Sequence, residues 1–240
     1  MVRQGEILPK QPRNKFKNFY TEPLGDGRVI LVPREILVTD ETRDEWLEGT
    51  FRLDPINGAA IATERTSVDP SAKIGKRVIV GAGSDVSAGA NLMDDVLLEG
   101  DNHVGLGSRI GVESTLEKGV YIGDGVNIGD NVYVQDDAEI ASGSIVGEGS
   151  EVRQRAKLYR GATLEDGVFV GDDAVVGRGA RLETGSRAEN NTTLESGSRL
   201  ENGSVLRQGA ELGFGATVWS EAVVPEGTKI GKGKEFKRYP

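Results

Sequence analysis

His103 is the only histidine among 240 residues, and the chain has no cysteine. An imidazole is a side chain that can serve as a general base. Asn102 precedes it and is the neighbouring amide that could orient it. One histidine per chain cannot supply a three-histidine zinc site unless several copies meet on a shared axis. The absence of cysteine excludes disulfides and thiolate sites. Neither a Walker A run nor a Ser-His-Asp arrangement is visible. No metal ligand set is assigned, and no cofactor.

Whatever positions these residues repeats every six positions. From Val68 to Ile230 an aliphatic residue returns at each sixth place, 28 times, and only Ala188 falls short of Val, Leu or Ile. Two residues before each aliphatic stands a small residue, Ser, Thr, Ala or Val, and Asn102 is the single exception. Three residues after it, 17 of the 28 positions are Gly and six more are Asn or Asp. Those residue types tolerate positive φ, so this column marks a tight corner. A period of six fits neither a helix at 3.6 nor a strand at 2. It describes short strands wound into stacked coils, a solenoid. In this pattern His103 sits beside the core aliphatic Val104 and faces out, while Asn102 points inward and needs partners.

The segments Val80-Gly81-Ala82-Gly83-Ser84-Asp85 and Ile122-Gly123-Asp124-Gly125-Val126-Asn127 resemble the repeat of the hexapeptide-repeat family, the left-handed parallel β-helix. The resemblance covers about two-thirds of the chain. It implies an all-β prism of triangular section, three repeats per coil and a homotrimer. Twenty-eight repeats give a little over nine coils, roughly 43 Å at ~4.8 Å per coil. The family contains acyltransferases with a histidine base, sugar-nucleotide enzymes and γ-class carbonic anhydrases that hold a metal with three histidines. Fold therefore does not decide function here. Ala222-Val223-Val224-Pro225-Glu226-Gly227 also resembles the closing repeats of hexapeptide acetyltransferases, without the Asn-Pro-Ala segment that follows there.

Composition agrees with a solenoid, whose core is too narrow for large rings: hydrophobic residues make up 37% and aromatic residues 5%. The net charge of −9 is uneven, with +4 in residues 1–20 and +4 in 229–240, leaving −17 for the body between them. An acidic shaft repels nucleic acid. No apolar run approaches ~18 residues, and no apolar stretch follows the basic N-terminal residues. Cytoplasmic synthesis without a membrane anchor is expected.

The chain divides into four parts. Residues 1–23 read as an extended arm with Pro9 and Pro12. Lys15, Phe16, Lys17, Phe19 and Tyr20 are its candidate partner-binding residues. Residues 24–55 read as a small cap domain, with a strand at Arg28 to Val32 and a short helix from Asp40 to Leu47. Residues 56–230 are the β-helix, with Ile56 and Ala62 in phase ahead of the glycine column. Residues 231–240 form a basic tail. Candidate interface residues on the prism are Tyr121, Tyr133, Tyr159, Arg181, Glu183, Arg199 and Glu201.

The phase holds without interruption, so no loop is thrown out to close over a substrate. The reading that follows is a non-catalytic, trimeric β-helical structural or docking protein. It would be a virion decoration or fibre-type component, anchored in a larger assembly through its arm. One alternative is a hexapeptide-class acyltransferase using a coenzyme A thioester, with His103 as base. Another is a metal-free relative of γ-carbonic anhydrase.

Overall fold

Each column of the repeat has a distinct task in the computed structural model, which describes residues 19–23, 28–33, 51–54 and 57–237. The aliphatics from Val80 to Val224 point inward and are essentially buried, Ala188 included. The small residues two places earlier fill the space between them. Every corner residue from Arg77 to Gly233 adopts positive φ. Most are Gly, Asn or Asp, but Arg77, Glu113, Arg155 and Glu221 also accept the left-handed backbone. Ser71 is the exception at the first coil. There Asp69 accepts from both the amide and the hydroxyl of Ser71, at 2.8 and 2.6 Å, and makes the turn by side chain instead.

Two-residue strands stack in parallel, residue i beside residue i+18, and build the three faces of a prism of about ten turns. Face 1 carries Leu97–Leu98 and Thr115–Leu116, face 2 His103–Val104 and Tyr121–Ile122, and face 3 Arg109–Ile110 and Asn127–Ile128. One residue of each pair enters the core and the other faces out. Among the described residues there is no helix. The helix expected over 40–47 lies outside them, as do Lys15, Phe16 and Lys17.

Four strands prepare the N-terminal end. β1 (Phe19–Pro23) and β2 (Arg28–Pro33) form an antiparallel pair. Phe19 and Tyr20, expected on a docking arm, therefore belong to a strand of face 1. β2 pairs with β3 (Phe51–Leu53), and β3 with β4 (Ala60–Ala62). β4 then runs parallel to Ile79–Val80, with Ile61 beside Val80 and Ala60 beside Ile79. Ile61 thus packs against the core, where Ala62 had been expected in phase. Ala62 instead faces outward with Phe51, Ile79 and Leu97, a second buried apolar cluster on the outer surface of face 1. At the other end the coil continues past 230. Phe236 takes the next aliphatic position and packs against the core from the last strand of face 3.

Corners are stitched by side chains as well as backbone. The amides of Lys76, Leu106, Val112, Lys118 and Glu148 each donate to the carboxylate one coil later. Those acceptors are Asp94, Asp124, Asp130, Asp136 and Asp166, at 2.8–2.9 Å. Glu165, Glu189, Glu195 and Glu201 reach the other way, each accepting from the amide 19 residues later, those of Thr184, Gln208, Phe214 and Ser220. Inside the corner, Ser108, Ser114 and Ser150 each donate to a carbonyl and accept an amide. Buried hydroxyls so paired cost the core little.

Candidate functional site

Stacking by 18 residues places Asp85, His103 and Tyr121 in line on the outer surface of face 2, in consecutive coils. Val86, Val104 and Ile122 enter the core beneath them and fix the three Cα positions. Nδ1 of His103 lies 3.2 Å from Oδ2 of Asp85. On its other side the imidazole stacks on the Tyr121 ring, with centroids 4.9 Å apart and planes 13° off parallel. A carboxylate at Nδ1 selects the tautomer that donates there and leaves Nε2 with its lone pair. The imidazole side chain is 37% exposed. Beside the row the flank is bare. Gly105 and Gly123 follow Val104 and Ile122, and a Cβ at either would lie 2.6 Å from backbone of the next coil.

Asn102 is buried and does not orient the His103 ring. Its Oδ1 accepts the Val120 amide at 2.9 Å, and its own amide donates to Ser84 Oγ at 3.3 Å. It ties together the backbones of the three coils that carry Asp85, His103 and Tyr121. Its Nδ2 has no protein partner. Asp85 was missed in the sequence, although adding or subtracting one coil from His103 would have found it.

The remaining candidates are not brought into one patch. Tyr121 lies on face 2, Tyr133 on face 1, and Tyr159 at the corner after face 2, while Arg181 and Arg199 lie on face 3. Tyr133 donates its hydroxyl to Glu117. Arg181 pairs with Glu165 and, at 3.9 Å, with Glu183, and Arg199 pairs with Glu183, so the ion ladder runs mainly between coils. Glu201 accepts from Ser220. The Arg181 guanidinium holds the Glu165 carboxyl below its ordinary range.

A hollow of about 370 Å³ on face 1 is lined by Glu151, Arg153, Phe169 and Arg187. Burial pushes the Glu151 carboxyl above its ordinary range, against the pull of Arg153 and Arg187. Among the described residues no group of three or more His, Cys, Asp or Glu is placed to hold a metal. No helix among them is long and apolar enough to cross a membrane.

Three parallel sheets, six-residue columns and left-handed corner residues define a parallel β-helix. A family model described as bacterial transferase hexapeptide (six repeats) matches residues 119–154. That match and the stacked parallel coils support the hexapeptide-repeat, left-handed β-helix superfamily.

Among solved structures, LpxA from Acinetobacter baumannii is similar at 18% identity and a TM-score of 0.52, over 63% of this chain and 67% of that one. The UDP-N-acetylglucosamine acyltransferase from Campylobacter jejuni is similar at 15% identity and a TM-score of 0.49, over 69% of each chain. At such identities the likeness shows the fold. No curated protein sequence matches the chain. The expectation of a non-catalytic structural or docking protein, a virion or fibre component, is corrected by these findings. LpxA, similar at a TM-score of 0.52, is named in another solved structure as a UDP-N-acetylglucosamine acyltransferase.

Proposed function

We propose that the chain is a hexapeptide-class acyltransferase that moves an acyl group from a coenzyme A thioester to a hydroxyl or amine acceptor. The observation that carries this reading is the carboxylate of Asp85 at Nδ1 of His103, 3.2 Å away, with Tyr121 stacked on the ring. Asp85 fixes the tautomer and stabilises the imidazolium that forms during transfer. Nε2 takes the proton from the acceptor as its oxygen or nitrogen attacks the thioester carbonyl. The carbon–sulfur bond then breaks, and the imidazolium returns the proton to the departing thiolate. Tyr121 holds the ring plane.

Face 2 is open in a single chain. A homotrimer is part of the proposal, because a neighbouring prism laid against this face would exclude water from the reacting groups. The test is thiol release from a panel of acyl-coenzyme A donors and simple amine or alcohol acceptors. Transfer should be lost in His103→Ala. Full activity in that variant would remove the reading.

A further inference from the structure

The corner that follows face 2 departs from the stitching seen elsewhere. There the amides of Leu106 and Asp124 donate to Asp124 and Ser142 one coil later. Over the next four coils the corner residues are Ser142, Arg160, Arg178 and Ser196. None of their amides meets an acceptor among the described residues, and the Glu195–Phe214 bond resumes the stitching beyond them. At the other two corners the longest such run is three, at Glu64, Ala82 and Gly100. The cause is plain in residue type. Arg160 and Arg178 occupy places where Asp or Asn would accept, and a guanidinium is donor-only.

Both arginines are exposed, and neither forms an ion pair or hydrogen bond through its side chain among the described residues. They stand one coil apart, ~4.8 Å along the axis, where like charges repel. The chain compensates the same repulsion on face 3, where Arg181 and Arg199 are interleaved with Glu165 and Glu183. No carboxylate does so here. The nearby Glu139 is paired with Lys157, and Glu195 accepts the Phe214 amide. The flanking residues Gly143, Gly161, Gly179 and Gly197 place no side chain over the row.

We propose that this corner is an oxyanion site for a phosphate group, formed by the guanidiniums and backbone amides of Arg160 and Arg178. Two guanidiniums one coil apart match the oxygens of a single phosphate. The two stacked amides that lack an acceptor add fixed partial charge without ordering any side chain. The site is separate from the acyl-transfer reading and does not depend on it.

The experiment titrates the full chain with sodium phosphate, and with sodium chloride at matched ionic strength. Melting temperature and backbone amide NMR are the readouts. Phosphate should raise the melting temperature with saturation and shift the Arg160 and Arg178 amides most, and chloride should not. Arg160→Gln with Arg178→Gln should weaken phosphate binding at least about tenfold, the scale of losing a charge-assisted bond. Glycerol phosphate in a parallel arm separates an esterified phosphate from the free ion, by whichever binds more tightly. His103→Ala should bind phosphate unchanged, which keeps this test distinct from the acyl-transfer test. Non-saturating phosphate effects, or binding unaltered in the double variant, would overturn the proposal.

Discussion

Asp85 and His103 are separated by one coil, and their side chains meet at 3.2 Å because the solenoid places residue i beside residue i+18. Asp85→Asn keeps the shape and removes the charge. On the acyltransferase reading it should lower kcat with little change in KM, since the carboxylate acts on the imidazolium of the transition state. His103→Ala should cost more, roughly 10²–10⁴-fold, the usual contribution of a general base. Steady-state kinetics on both variants check this. An Asp85→Asn enzyme with unaltered kcat would remove Asp85 from the mechanism.

Acid should loosen specific corners. Arg155 donates two bonds of 2.8 Å to Asp173, and these hold the Asp173 carboxyl below its ordinary range. A depressed folded value contributes stability that is present above the unfolded pKa of ~3.9 and is lost as pH falls through the folded one. Melting temperature followed downward from pH 5 should therefore fall. Asp173→Asn should show a shallower acid limb than the parent.

Glu151 predicts the opposite sign. Burial raises its folded pKa, so the folded chain holds this proton to higher pH than the unfolded chain does. Stability from this group accordingly falls as pH rises from the ordinary carboxylate value through the raised one. Glu151→Gln removes that dependence, and its melting temperature should change less with pH across the window. An unchanged slope would mean that Arg153, 2.7 Å from the carboxylate, compensates burial fully.

Most of the fold was legible because a solenoid is nearly one-dimensional. Columns six apart gave the inward face, the corner and the packing residue without any long-range guess. What the columns hid was sideways. Asp85 and His103 belong to different repeats, and only the coil length of 18 makes them neighbours. Arg181 does meet Glu183, at 3.9 Å, but the same blind spot hid its shorter contact with Glu165 and that of Arg199 with Glu183. Phe236 was read as part of a tail because the column was defined by aliphatics. The last coil has no successor to pack against, so a ring fits there. Ala62 was taken as in phase because β3 was not foreseen. Antiparallel pairing with β3 puts Ala62 beside Phe51, outside the prism.

Glycines at two positions of the repeat should differ in what they tolerate. Gly209 is a corner residue with φ of +67°, and an added Cβ there would meet nothing within 4 Å. Gly209→Ala carries only the strain of the left-handed backbone, about 1–2 kcal/mol. Gly177 lacks positive φ, but its Cβ would lie 2.6 Å from the carbonyl carbon of Glu195 and from the carbonyl oxygen of Leu194. Backbone cannot rotate away as a side chain can, so the coils on either side must part. Gly177→Ala should therefore be the more destabilising of the two in urea unfolding. Because each coil contacts only its neighbours, hydrogen exchange should quicken around residues 159–197 and stay slow near His103. If Gly209→Ala proved the worse variant, corner conformation and not coil-to-coil contact would be the tighter constraint on this sequence.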